Sequence, residues 1–379
     1  MHPRVKPALR RAWRDRQSVQ FGVTSAHAVL VGPVDTATGT LLGLLDGTRG
    51  MPLLREEARA RGLPEEQADR LVGRLAAAGL IDDVTAGGPG AVALLGRSAE
   101  FDRLRPDLAS LSVVHPEPGG GARRLAARRA ARVQVRGAGR VGTTLAAVLS
   151  AAGVGRVDVL DGGCVEPWDV APGGAAAGAV GSRRDAVARR AVHDCAPGRA
   201  PRRRTDQDPD GEPVLSLVVV APRDGLDAYV PDPAVAEPWV TSGIPHLYAG
   251  VVEATGVVGP LVLPGGTACA GCLTRTRAER DPGWPRMQAQ WRSGRREGVP
   301  ACDVALATAV AGLAAAHALA LLDGELPSSA GARWEVALPL LDWRAEQLAA
   351  HPECPCGAGR RGEGDAPSGD LRGHDTMAP

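Results

Sequence analysis

The chain has 379 residues, enough for two domains or for one large domain with an appendage. Hydrophobic residues make up 44%, yet Phe and Tyr number two each, so the core must come from Ala, Val and Leu with seven Trp as its large pieces. A formal net charge of +1 leaves no bulk electrostatic case for nucleic-acid binding, and Lys6 is the only lysine, so the basic charge is almost all Arg. The N-terminal run MHPRVKPALRRAWRDRQ is basic and lacks the apolar stretch of a signal peptide, so a cytoplasmic setting is expected. In that setting the seven cysteines, which include a C-x-x-C and a C-x-C, suggest metal ligation or redox chemistry before disulfides.

Residues 1–85 carry a pattern of their own. Valines alternate over residues 18–31 and end at Gly32 and Pro33, which predicts a short hairpin. Three helical periods follow, over residues 36–46, residues 51–61 closed by Gly62, and residues 64–78 closed by Gly79, with a return strand over residues 80–82. Three short helices with a hairpin make a winged-helix-like α+β module, which suits DNA or a peptide. The third helix is charge-balanced and has no Lys/Arg, Asn or Gln row suited to a groove, so peptide or subunit contact is preferred. Residues 86–131 read as a linker and mixed segment whose Arg/Ala end forms a solvated helix.

From Arg132 the pattern becomes strand and helix in alternation. Val133 and Val135 predict a strand, and Gly137, Gly139 and Gly142 follow in the G-x-G-x-x-G order. Gly137 allows a tight turn, Gly139 lets backbone amides approach a polyphosphate, and Gly142 lets the next helix pack closely. Strands are expected at residues 156–160, 214–220 and 244–252, with a strand pair over 256–263 and a last strand over 333–343. Helices are expected at residues 141–152 and 183–196. Residues 284–296 read as a charged excursion. Val304–Leu322 is long and apolar enough to raise the question of a membrane span, but it is mostly Ala, interrupted by Gly312 and His317, and reads as a buried helix. Residues 358–379 read as a disordered tail.

Asp161 ends the second strand at about the distance where an acid grips ribose hydroxyls. That much also fits a nicotinamide-dependent oxidoreductase, but no His/Asp pair for hydride transfer accompanies it. Cys269, Cys272, Cys354 and Cys356 can supply four thiolates to a structural zinc, with His351 able to replace one sulfur and free thiols as the alternative. Cys302 stands before the Ala-rich helix, where a helix N-terminus would lower its pKa and Asp303 works against that, and it reads as a packing or helix-start residue. Cys164 and Cys195 read as buried small residues, His246 as a satisfied loop histidine, His317 as a core or interface residue, and residues 202–204 as a solvated basic run.

The order of RGAGRVG, the strand ending in Asp161 with Val165 beyond it, Gly181 before a basic helix, GIPHLYAGV, CAGCL, CDVALATAVAG and HPECPCG resembles the ThiF/MoeB family. These are relatives of ubiquitin-activating enzymes that adenylate the C-terminus of a small protein or peptide. The resemblance covers residues 132–357 and implies a Rossmann-like doubly wound α/β sheet of ThiF type. Residues 1–85 are similar to the winged-helix modules that bind leader peptides in precursor-modifying relatives, a layout seen in actinobacterial leader-peptide-binding proteins of azole-forming peptide pathways. It implies ATP on Gly137, Gly139 and Gly142, ribose on Asp161, Mg²⁺ on Asp224, and Arg184 in place of a phosphate-contacting lysine. It also implies a structural zinc, a peptide or small-protein substrate, a partner modifying enzyme, a homodimer and, as in members that pass an activated acyl group to sulfur, a nucleophile at Cys302. Asp169, Pro172 and Gly173 align with the family's Asn–Arg–Gln segment, so a negative charge replaces a neutral amide and a cation is lost. These departures put a catalytically degenerate leader-peptide-binding scaffold beside the adenylyltransferase as the alternative.

Overall fold

In a computed structural model, which describes residues 1–83, 85–96, 98–198, 214–294 and 298–360, the chain divides between two units. The expected tail and the basic run at residues 202–204 fall outside the described residues, the tail from residue 361 onward. The first unit is Met1–Ala130 with a few residues near Pro197. It runs β1 (Pro3–Val5), β2 (Arg11–Trp13), β3 (Val19–Phe21), β4 (Val29–Val31), α1 (Thr36–Gly43), α2 (Met51–Ala60), α3 (Glu65–Ala77) and β5 (Ile81–Asp83). Strands β2, β3 and β4 form an antiparallel meander, and β1 pairs with β5. Alternation decides which face is buried: Val19 and Phe21 enter the core with Leu41, Leu54, Leu71 and Leu75, and Gln20 points away. Asp35 caps α1 by accepting from the Thr38 N–H at 2.7 Å.

Three more helices, α4 (Gly88–Leu95), α5 (Ser98–Val114) and α6 (Gly120–Ala130), occupy the stretch read from the sequence as a linker. Leu94, Leu104, Leu111 and Leu125 give them a small core. The arginines of α6 are not a plain solvated face. Arg128 is buried and lies 3.9 Å from Asp107, while Arg124 pairs with Glu117 and Arg129 with Glu100. The single lysine, Lys6, is also buried, with its Nζ donating to the His115 carbonyl at 3.0 Å.

The second unit starts at Ala131. Its elements are β6 (Arg132–Arg136), α7 (Arg140–Ala151), β7 (Arg156–Leu160), α8 (Arg184–Cys195), β8 (Leu215–Val220), α9 (Leu226–Tyr229), α10 (Pro233–Thr241), β9 (His246–Val252), β10 (Thr255–Val262), α11 (Ala270–Arg280), α12 (Trp284–Ser293), α13 (Val304–Leu322), β11 (Ala332–Ala337) and β12 (Arg344–Gln347). They build a seven-stranded mixed α/β sheet in the order β12-β11-β10-β9-β8-β6-β7. The four strands β7, β6, β8 and β9 are parallel, and β10, β11 and β12 continue antiparallel. The sequence pattern over residues 256–263 is one strand lying between β9 and β11, not a pair. The charged excursion is the helix α12, and the last expected strand breaks at Ala337 before β12 begins at Arg344.

Apolar runs on the central strands are buried on both faces, as parallel strands covered by helices require. On β8, Leu217 and Val219 face the cluster that holds α7 and α13, whereas Val218 and Val220 face Trp239, Tyr248 and the cysteines. Helix α13 is long and apolar enough to cross a membrane. It lays Leu306, Val310, Ala314 and Ala318 into the sheet's main core, the buried-helix role expected of it.

His246 is the first residue of β9, not a loop residue, and it is fully buried. Nδ1 faces the Ile244 carbonyl at 3.2 Å and so carries the proton, and Nε2 has no partner among the described residues. Burial pushes its pKa down to about 4. Its folded value lies below the unfolded one, so stability is full above the unfolded value and is lost as pH falls through it. Between pH 7.5 and pH 5 this group alone removes about 2 kcal/mol. Denaturant midpoints at the two pH values are expected to fall further in the wild type than in His246→Leu; equal losses would show that His246 is not the source.

Candidate functional site

Strand β6 sits between β7 and β8, so the chain leaves it toward one side and returns on the other. The crevice at the C-terminal ends of such strands is where a doubly wound sheet binds ligands. Three loops meet there, after β6, β7 and β8.

The first is the glycine loop. Gly137 has φ +108°, and a Cβ on it would collide with the Ala221 backbone at the end of β8. Gly139 caps α7, and Gly142 lies so close to the Gly137 carbonyl that no side chain fits. The first turn of α7 therefore points unpaired N–H groups into the crevice. Gly139 is approached by the protein's own Arg223, whose Cγ would stand 3.0 Å from a Cβ added there.

The second loop begins with Asp161. Its Oδ2 accepts from the Ala138 N–H at 2.8 Å, and its Oδ1 accepts from the Gly163 N–H at 2.9 Å and from Arg184 Nε at 2.9 Å. Arg184, at the start of α8, also donates to the Cys164 carbonyl at 2.6 Å and lies 3.8 Å from Asp169. The ribose candidate and the phosphate candidate are thus brought together and paired with each other. Asp169 is only 3% exposed and accepts from Arg223 Nε at 2.6 Å and from the Glu166 N–H at 2.9 Å. Arg223 also pairs with Glu166 and lies 5.8 Å over the Trp168 ring. The negative charge of Asp169 is therefore balanced by two arginines.

The third loop, after β8, carries Arg223 and then Asp224, whose Oδ1 accepts from the Leu226 N–H at 3.1 Å. Arg140, inside the glycine motif, donates to the Cys302 carbonyl at 2.7 Å. Burial raises the pKa of the Cys302 thiol, Arg140 acts against this, and Asp303 and Asp169 act with it. A raised pKa and contact with the main core suit a packing residue at the entry to α13, where Asp303 accepts from the Ala305 and Leu306 N–H groups. Of the two cysteines expected to be buried, Cys164 is exposed, with its carbonyl accepting from Arg184, and Cys195 is half-buried. Arg140, Glu166 and Arg223 were not singled out from the sequence; the acids in EPWD and the Arg beside Asp224 were the available signal.

On the opposite face of the sheet Cys269, Cys272, Cys354 and Cys356 converge, their sulfurs all within 4.8 Å of one another. Three of the separations are 3.8, 3.7 and 3.5 Å. Tetrahedral zinc with bonds of about 2.3 Å has sulfur–sulfur edges of about 3.8 Å, so the cluster fits that ion. His351 does not compete with a sulfur: its Nε2 pairs with Glu279 at 2.7 Å, and its Nδ1 accepts from the Glu353 N–H at 3.2 Å.

The ThiF family pattern matches residues 117–356, more than half of the chain. The chain belongs to the ThiF family. No curated protein sequence matches it. Among solved structures it is similar to MccB of E. coli crystallised with ATP, at 17% identity over 94% of this chain and 100% of that one, with a TM-score of 0.64. MccB, described as the microcin C7 biosynthetic enzyme, in complex with N-formylated MccA gives 16% identity over 94% and 100%, with a TM-score of 0.65. The heterocyclase TruD gives 18% identity and a TM-score of 0.58 over 95% of this ThiF-family chain but only 43% of its own length.

Metal analysis by mass spectrometry is expected to find one zinc per chain in the wild type and none in Cys269→Ser, Cys272→Ser. Unchanged zinc in the double variant would place the metal elsewhere.

Proposed function

We propose that this ThiF-family chain binds ATP at the glycine loop and activates the carboxylate of a peptide or small protein by adenylation. The observation that carries the reading is the loop itself. Gly137, Gly139 and Gly142 hold the backbone at an approach no side chain permits, at the N-terminus of α7 and the switch point of the sheet. MccB structures with ATP and with MccA share this fold and support the same pairing of nucleotide and peptide.

In this reading the peptide carboxylate attacks the α-phosphorus and pyrophosphate leaves. The α7 amides and the arginines 140, 184 and 223 take up phosphate charge, each such contact being worth roughly 3 kcal/mol in a water-poor site. Asp161 orders the loop and the ribose edge. Asp224, beside the loop, would hold Mg²⁺, which neutralises phosphate charge when bound. The four-cysteine zinc is structural and anchors residues 351–357 to α11. The winged-helix-like residues 1–85 supply peptide recognition. A cytoplasmic location, a homodimer and a partner modifying enzyme complete the proposal.

A second reading is a scaffold that presents a leader peptide to a partner enzyme without using ATP. It is supported by one observation: Arg184 and Arg223 are already committed to Asp161, Asp169 and Glu166. ATP–pyrophosphate exchange with candidate peptides separates the two. Adenylation predicts peptide-dependent exchange that falls about 100-fold in Asp224→Ala while peptide affinity stays unchanged. Peptide binding at micromolar affinity without any exchange would leave the scaffold.

A further inference from the structure

We propose that residues 166–172 form a strap that keeps Arg223 and Arg184 masked, and that a polyphosphate binds by displacing the strap's carboxylates from those two arginines. The inference rests on the reading that the glycine loop receives phosphates, and it assigns to Arg223 the task of gripping them.

The strap is a short closed excursion between β7 and α8. The Glu166 N–H donates to Asp169 Oδ2, and the Asp169 N–H donates back to the Glu166 carbonyl at 2.9 Å. Val170 bridges to Ala175, and the Pro172 carbonyl accepts from Thr144 Oγ1 on α7 at 3.3 Å. These bonds leave the strap lying along the helix whose N-terminus forms the phosphate loop.

Its two carboxylates are unequal. Glu166 is 43% exposed and holds Arg223 from the solvent side, while Asp169, 3% exposed, holds Arg223 from within and lies within ion-pair distance of Arg184. Arg223 is the side chain pressed against Gly139, where the loop gives a ligand its nearest approach. A planar guanidinium there can pass from carboxylate to phosphate by a small rotation, because both accept its paired N–H groups in the same fork geometry. A triphosphate brings more negative charge than the two carboxylates and also receives the α7 amides, which the strap does not use. Trp168 falls between the two acids in the chain, with Arg223 5.8 Å from its ring centre, so it moves from a charged neighbour when the strap lifts.

The test is calorimetric titration of the full-length chain with inorganic pyrophosphate and with ATP, accompanied by tryptophan fluorescence. Removing one competing charge in Asp169→Asn is expected to tighten pyrophosphate binding about tenfold, the equivalent of about 1.4 kcal/mol. Glu166→Gln, on the solvent side of the strap, is expected to tighten it in the same direction, and Arg223→Ala to weaken it at least about tenfold. Binding is expected to change the fluorescence of the wild type and not of Trp168→Phe. Wild-type binding that neither acid variant tightens would overturn the strap and leave the phosphate-loop reading standing. No binding by the wild type or by either acid variant would overturn both.

Discussion

A single carboxylate holds the site together. Asp161, at the end of β7, accepts from the Ala138 N–H in the glycine loop, from the Gly163 N–H in its own loop, and from Arg184 at the start of α8. Hydrogen bonds to a charged group contribute about 1.5–3 kcal/mol each, against about 1 for neutral ones, so this residue fixes the relative positions of three chain segments. The glycine loop leans on it, since Ala138, next to Gly137 with its positive φ, donates to Asp161 while the Ala221 backbone closes over Gly137 from the other side. Asp161 is therefore first a structural acid. Any nucleoside hydroxyl that reaches it shares an acceptor already in use.

The charge around that carboxylate is almost self-cancelling. Asp161, Glu166 and Asp169 face Arg184 and Arg223, with Arg140 turned to the Cys302 carbonyl. A chain with one lysine reaches this arrangement because a guanidinium has five donors. Arg184 reaches Asp161, Asp169 and the Cys164 carbonyl at once, which a single ammonium could do only with weaker geometry. Asp169, where the sequence resemblance leads one to expect a neutral amide, is thus paired with Arg223 from the neighbouring loop and lies within ion-pair distance of Arg184. These pairs draw Arg223 against Gly139 in the glycine loop.

Much of this was legible in the sequence, and the boundary has a physical cause. The Val133–Val135 strand, the three glycines and Asp161 were readable because backbone requirements are local: only glycine fits beside Ala221 and beside the Gly137 carbonyl. The cysteine cluster was readable from ligand chemistry, and α13 from length and small-residue content. The ion pairs were not. Arg223 meets Asp169 across 54 positions of chain and Arg184 meets Asp161 across 23, and no periodicity links such partners. Helices α4 and α5 are hidden in the sequence because α4 opens on Gly-Pro-Gly and α5, 17 residues long, carries Pro106 in its interior, and both features read as breaks. His246 was misplaced because its Gly-Ile-Pro preface signals a turn, which ends one residue before β9 begins.

In the proposed adenylation, phosphate and not the nucleoside is the handle by which a ligand is held, since the loop amides are turned to the crevice while Asp161 is engaged by Arg184. Parallel calorimetric titrations of the full-length chain with ATP and with adenosine test this most directly. Measurable ATP binding is expected, with adenosine bound at least about a hundredfold more weakly, a gap of about 2.7 kcal/mol. Equal affinities for the two, or adenosine binding without ATP binding, would contradict it.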